Sequence, residues 1–146
     1  MKIRFKSGYY GVINGKEYSI SSSDKGWMIY NHDIPESEPI LLIDKKDANK
    51  KIGSAYVVRT KAKYQGFVFT IFQNKALKDE HNVRLKLNNL DFDAYDYYGF
   101  PYRKDDASIV VQEDELEEIW EERTPLARFP FKVDKIKYIK KEGKFL

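Results

Sequence analysis

Two histidines, His32 and His81, are the only side chains in this chain whose ordinary pKa lies near neutrality. Each sits in polar sequence (YNHDIP and DEHNVR) and reads as a solvated loop residue. No HxxxH, HExxH, GxSxG, P-loop or GxGxxG pattern accompanies them. Gly8 and Gly11 in KSGYYGVI are spaced like part of a glycine-rich loop, but no phosphate-gripping lysine or helix follows. The chain has no cysteine, which excludes disulfides, thiolate zinc sites and cysteine nucleophiles. Asp91-Phe-Asp93-Ala-Tyr-Asp96 has the look of a cation loop. A calcium hand would need Gly at its sixth position and Glu at its twelfth, where Asp96 and Tyr102 stand. Carboxylates are abundant, so a hydrolase built on a carboxylate pair stays open by residue type alone. The expectation is a binding protein rather than an enzyme, with no catalytic residue, no metal and no cofactor.

The charges point to what is bound. The net charge is +3, yet the signs are sorted along the chain. Residues 1–76 carry 13 basic and 7 acidic side chains, net +6. Residues 77–122 carry 5 and 14, net −9, and residues 123–146 carry 8 and 2, net +6. Segregated charge steers encounter with a partner of opposite sign. Within the acidic block, residues 90–102 (LDFDAYDYYGFPY) interleave six aromatics, Phe92, Tyr95, Tyr97, Tyr98, Phe100 and Tyr102, with Asp91, Asp93 and Asp96. Burying three aspartates would be expensive, and leaving six aromatics in water invites aggregation. Aromatic anchors with an acidic rim have the composition of a protein-binding hot spot. Phe92, Phe100 and one or two tyrosines could equally fill a core. The candidate partner-binding residues are Asp91, Asp93, Tyr95, Asp96, Tyr97 and Tyr98, with Glu113, Asp114, Glu117, Glu118 and Glu121 further on.

Period-two alternation governs the elements that must hold these residues. Residues 2–6, 9–13, 16–20, 27–31, 40–43, 55–62, 66–72, 83–87, 108–111 and 136–140 read as strands. Asn14-Gly15 between two of them is a strong hairpin signal, and a second hairpin is expected to turn near Tyr64-Gln65-Gly66. Two short helices are expected. One covers 44–53, capped by Asp44, with Ala48 and Ile52 on one face and Gly53 as stop. The other covers 112–123, with acid in its first turn, a Leu116, Ile119 and Trp120 stripe, and Pro125 beyond. The fold class is α+β, mostly antiparallel sheet. A chain of 146 residues suits one domain, and the order of elements suggests two degenerate strand–strand–strand–helix halves, roughly 9–60 and 61–124, with a basic tail over 125–146. Lack of cysteine, of a signal peptide and of a long apolar run leads to the expectation of a cytoplasmic protein without membrane spans.

Two stretches carry a resemblance: Tyr64-Gln65-Gly66-Phe67-Val68-Phe69-Thr70, and Glu115-Leu116-Glu117-Glu118-Ile119-Trp120-Glu121-Glu122-Arg123. With the apolar run that precedes the second, the ordering resembles small immunity proteins of bacterial polymorphic-toxin systems of the Gram-positive type. The resemblance covers about 9–124 and implies a cytosolic, non-catalytic protein that occludes a cognate toxin protein; the chain itself is expected to be a monomer or weak homodimer. A cationic nuclease domain is one form such a partner could take. It carries over no fixed functional residues. The alternative is a nucleic-acid-binding β-domain. It would use lysine patches (Lys45, Lys46, Lys50 and Lys51; Lys135, Lys137, Lys140, Lys141 and Lys144) and stack bases on Tyr9, Tyr10 and Tyr64.

Overall fold

The computed structural model describes residues 5–31, 38–72, 81–87, 91–101 and 107–146. Most of the expected strand over 2–6, His32 and Tyr102 lie outside the described residues. The chain is α+β, dominated by antiparallel sheet with two helices. It forms two compact units, one of residues 1–59 and 122–136, the other of residues 60–121 and 137–146. Among the described residues no helix is long and apolar enough to cross a membrane.

In the first unit β1 (Ser7–Ile13), β2 (Lys16–Ser23), β3 (Gly26–Tyr30) and β4 (Leu41–Asp44) form an antiparallel meander, and β1 also pairs with the start of β5 (Ser54–Tyr64). The β1–β2 turn falls on Asn14 (φ 53°) and Gly15 (φ 80°), the two positive φ values of a primed turn. Helix α1 (Lys45–Lys51) follows β4, with the Asp44 carboxylate accepting from the Lys46 amide. It stops where the Gly53 amide donates to Val12 O (2.8 Å). Ile13, Ile20, Ile29, Ile43, Ala48, Ile52 and Ala55 make the core, flanked by Tyr18, Trp27, Leu126 and Phe129. Each buried branched side chain of this kind contributes about 1.5–3 kcal/mol. A second cluster of Tyr10, Tyr56 and Val58 is covered by Phe131 and Val133. Glu17 beside it accepts from the Lys6 ammonium and the Tyr56 hydroxyl.

In the second unit the later part of β5 turns at Gln65 (φ 51°) and Gly66 (φ 84°) into β6 (Phe67–Phe72). β6 pairs with β7 (Asn82–Lys86), which pairs with β8 (Ser108–Gln112). Helix α2 (Phe92–Tyr98) lies between β7 and β8 in sequence. A 3₁₀ turn (Glu113–Glu115) then leads into β9 (Glu118–Pro125), and β10 (Ile136–Lys141) and β11 (Lys144–Phe145) form a hairpin beyond it. The buried residues of this unit include Phe69, Ile71, Val83, Leu85, Tyr95, Leu116 and Ile119.

Two expectations about helices are corrected. Residues 112–123 do not form a helix: after the 3₁₀ turn they run as β9, beginning where the Glu117 amide donates to Lys63 O (2.9 Å). A helix here would set Asp114 against Glu118, Glu117 against Glu121 and Glu118 against Glu122 at i,i+4, each pair repulsive. A strand sends successive carboxylates to opposite faces and pairs an edge of β5 that would otherwise stay unbonded. The second helix is instead α2, in a stretch whose acidic and aromatic composition reads as a loop.

Candidate functional site

Short local rules build α2. The Asp91 carboxylate accepts from the Ala94 amide (3.2 Å) as the N-cap, and Asp93 places a second negative charge in the first turn. Gly99, at φ 72°, ends the helix in the left-handed conformation, and the Phe100 amide donates to Tyr95 O (2.9 Å). One side of the helix is interior, since Ala94 and Tyr95 are each 0% exposed. The other side faces water with Asp91, Asp93 and Asp96, together with Phe92 (55% exposed) and Tyr97 (63% exposed).

Aromatic contacts fasten the end of α2 to β6. Tyr98 lies 5.8 Å from both Phe67 and Phe69 in edge-on geometry, and stacks on Phe100 at 5.4 Å. Tyr97 lies 4.9 Å from Tyr98 and 5.5 Å from Phe67. Pairs of this kind are each worth about 0.5–1.5 kcal/mol beyond the area they bury. The Tyr98 hydroxyl donates to Gln65 Oε1 (2.8 Å), and the neighbouring Gly66 amide donates to Glu117 Oε1 (3.3 Å). The β5–β6 turn therefore gathers α2 and Glu117 around itself. Burial pushes the Tyr98 phenol up to about 12, with further upward pushes from Tyr64, Tyr97 and Glu117. Tyr98 is thus a neutral donor at any physiological pH.

The remaining expected site residues are dispersed. Tyr95 and Glu121 are buried, so neither presents a side chain to a partner, contrary to their place among the candidates. Tyr95 fills space beneath α2, where its ring lies 6.0 Å from Phe100. Glu117 and Glu118 line a groove of about 520 Å³ with Lys63, Lys141, Glu142 and Gly143, where lysines offset the acidic charge. Glu113 and Asp114 line a different recess, of about 380 Å³, with His81 and Gln112. There His81 Nδ1 stands 3.4 Å from Glu113 Oε1. Lys140, expected within a basic surface patch, is buried: its ammonium donates to Glu113 O (3.4 Å) and Asp114 O (3.3 Å) and stands 5.0 Å from the centre of the Phe145 ring. Among the described residues no group of three His, Asp or Glu side chains is placed to hold a metal ion.

Sequence reasoning missed Phe67, Phe69 and Gln65 as the support of this surface. A local signal for the helix was nevertheless present: Asp91 stands three residues before Ala94, and Gly99 closes a run of helical length. The site that emerges is a short acidic helix with two exposed aromatic rings, backed by buried aromatics and bordered by Glu117. No family model, curated protein or solved structure matches the chain.

Proposed function

We propose that this protein is a non-catalytic binding protein that docks a cationic partner on the exposed face of α2, and that the partner is a cognate toxin domain neutralised by occlusion. The observation that carries the reading is the division of α2 into two sides. Ala94 and Tyr95 anchor it in the interior, while Asp93, Asp96, Phe92 and Tyr97 stand in water on the same two turns. A helix held from below loses little freedom on binding, and rigid aromatic anchors ringed by charge are the residues that carry interface energy. The toxin as partner is supported by the resemblance of residues 64–70 and 115–123 to immunity proteins. The nucleic-acid alternative is weakened by Tyr10, which is buried, and Tyr64, which is half-buried, so that of its three stacking platforms only Tyr9 is exposed.

Co-expression with the protein encoded beside it tests the reading. A complex that co-purifies and relieves toxicity is the expected result. Asp93→Lys/Asp96→Lys should slow association at low salt by about tenfold or more and flatten its salt dependence, because steering follows the local field. Asp91 is left in place because it caps the helix. Tyr97→Ala should act mainly by raising the dissociation rate. Absence of both complex and protection, or a wild-type association rate for the double variant, would overturn the reading.

A further inference from the structure

In the first unit β4 is a terminal strand. β3 pairs with one side of it, and among the described residues no strand pairs with the other. An open strand edge is a row of hydrogen-bonding groups ready for another chain, and proteins guard such edges with charge, proline or bulges. Here the edge is apolar and wet: Ile40 is 58% exposed, and Leu41 and Leu42 are 48% exposed each. Ile43 next to them is buried in the core, so the strand is firmly seated. Successive side chains of a strand point to opposite faces, so Leu41 shares a face with Ile43 and Leu42 lies on the other, opposite Met28. The exposed apolar surface therefore wraps both faces of the edge. Directly after β4, α1 packs on β3 and β4 and presents Lys45, Lys46, Lys50 and Lys51 to solvent. Within the helix and its cap Asp44 and Asp47 oppose them, and Glu38 stands exposed two residues before Ile40.

We propose that the β4 edge accepts an extended acidic segment of a partner protein as an added strand. The backbone of the segment would continue the sheet along residues 40–43. Its apolar side chains would lie against Ile40, Leu41 and Leu42, and its carboxylates against the α1 lysines. The distribution of apolar side chains decides against a lipid surface, which would wet one face only. A second copy of this chain would meet the lysines with the same charge rather than the opposite one. A nucleic acid would use the lysines and leave the three apolar residues in water. The β4 edge and α1 both belong to the first unit, whereas α2 belongs to the second.

The test uses a fluorescent octapeptide of alternating Glu and Val, with one of alternating Lys and Val as control. The Glu–Val peptide should bind saturably by anisotropy, and the Lys–Val peptide should not. The amides of residues 40–43 should exchange more slowly with deuterium when the Glu–Val peptide is bound. Two variants should each weaken binding by about tenfold or more. Lys45→Glu/Lys46→Glu reverses charge in the first turn of α1, where acid is compatible with the helix, and Leu42→Gln removes apolar surface at an exposed site without adding charge, so both should keep the wild-type melting temperature. Failure of the peptide to bind, equal binding of the two peptides, or protection confined to other residues would overturn the proposal. So would a concentration-dependent dimer abolished by Leu42→Gln, or binding of anionic vesicles or oligonucleotides without protection of residues 40–43.

Discussion

Gly26 opens β3 directly opposite Asp44, with φ at +147°. A Cβ at this position would lie 2.1 Å from Ile43 O, 3.0 Å from the Ile43 carbonyl carbon and 3.1 Å from Asp44 Cα. These are all backbone atoms of β4, so no change of rotamer relieves the collision. A carbon and an oxygen approach to about 3.3 Å at closest, so β4 would have to move by about 1 Å. That movement disturbs the β3–β4 ladder and loosens Ile43, which is packed with Ala48 and Ile52. Gly26→Ala therefore combines two penalties, about 1–2 kcal/mol for a side chain at positive φ and about 1–3 kcal/mol for overpacking. The expected loss is about 2–5 kcal/mol, a large share of the roughly 5–15 kcal/mol that holds a domain together. Gly15→Ala is the control. Gly15 has φ +80° and nothing within 4 Å of the added carbon, so only the first penalty applies. Urea denaturation of both variants at a common slope separates the terms, the difference being the steric cost of crowding β4. Equal losses in the two variants, or a loss below about 1 kcal/mol for Gly26→Ala, would refute the close approach of β3 to β4 and with it the seating of the apolar edge.

Trp120 lies half-buried on β9, 6.1 Å from Tyr138, whereas the sequence pattern set it in the apolar stripe of a helix. Trp120→Ala should thus cost only about 1–2 kcal/mol, and Tyr95→Ala about 3–5 kcal/mol; the opposite order in chemical denaturation would mean that α2 is not docked through Tyr95. Tyr98 provides a test at alkaline pH. Its folded-state phenol is pushed up to about 12 from an ordinary 10, so between those values the unfolded state releases a proton that the folded state keeps. Stability should fall as pH rises through this window, with no contribution from this group below it. Tyr98→Phe should reduce that fall and remove one tyrosine that ionises well above the ordinary value from a spectrophotometric titration; an unchanged titration curve would count against the packing of Tyr98 on Phe67, Phe69 and Phe100.

Much of the fold was legible in the sequence, because a strand with one buried face must alternate, and the alternation survives in VRLKL and GFVFTIF. Asn14-Gly15 and Gln65-Gly66 marked their turns, since tight hairpins demand positive φ and few residues supply it cheaply. Asp44, Ala48 and Gly53 framed α1, a helix whose cap, buried face and stop all lie within ten residues. Composition also marked residues 91–98 as a stretch with both acid and aromatic side chains to place. Which rings face water is a different kind of fact. Tyr95 and Tyr97 are the same residue type two positions apart, yet one is 0% and the other 63% exposed, because α2 turns them to different sides. Local pattern likewise favoured a helix over 112–123, and the pairing of Glu117 with Lys63 across the sheet decided for a strand. Lys140 and Glu121 were charged residues like any others until the fold enclosed them. Sequence determines whatever depends on neighbours along the chain: caps, turns and periodicity. Burial and the convergence of Tyr98, Gln65 and Glu117 depend on partners 19 to 52 positions away, and only the tertiary structure brings those partners within reach.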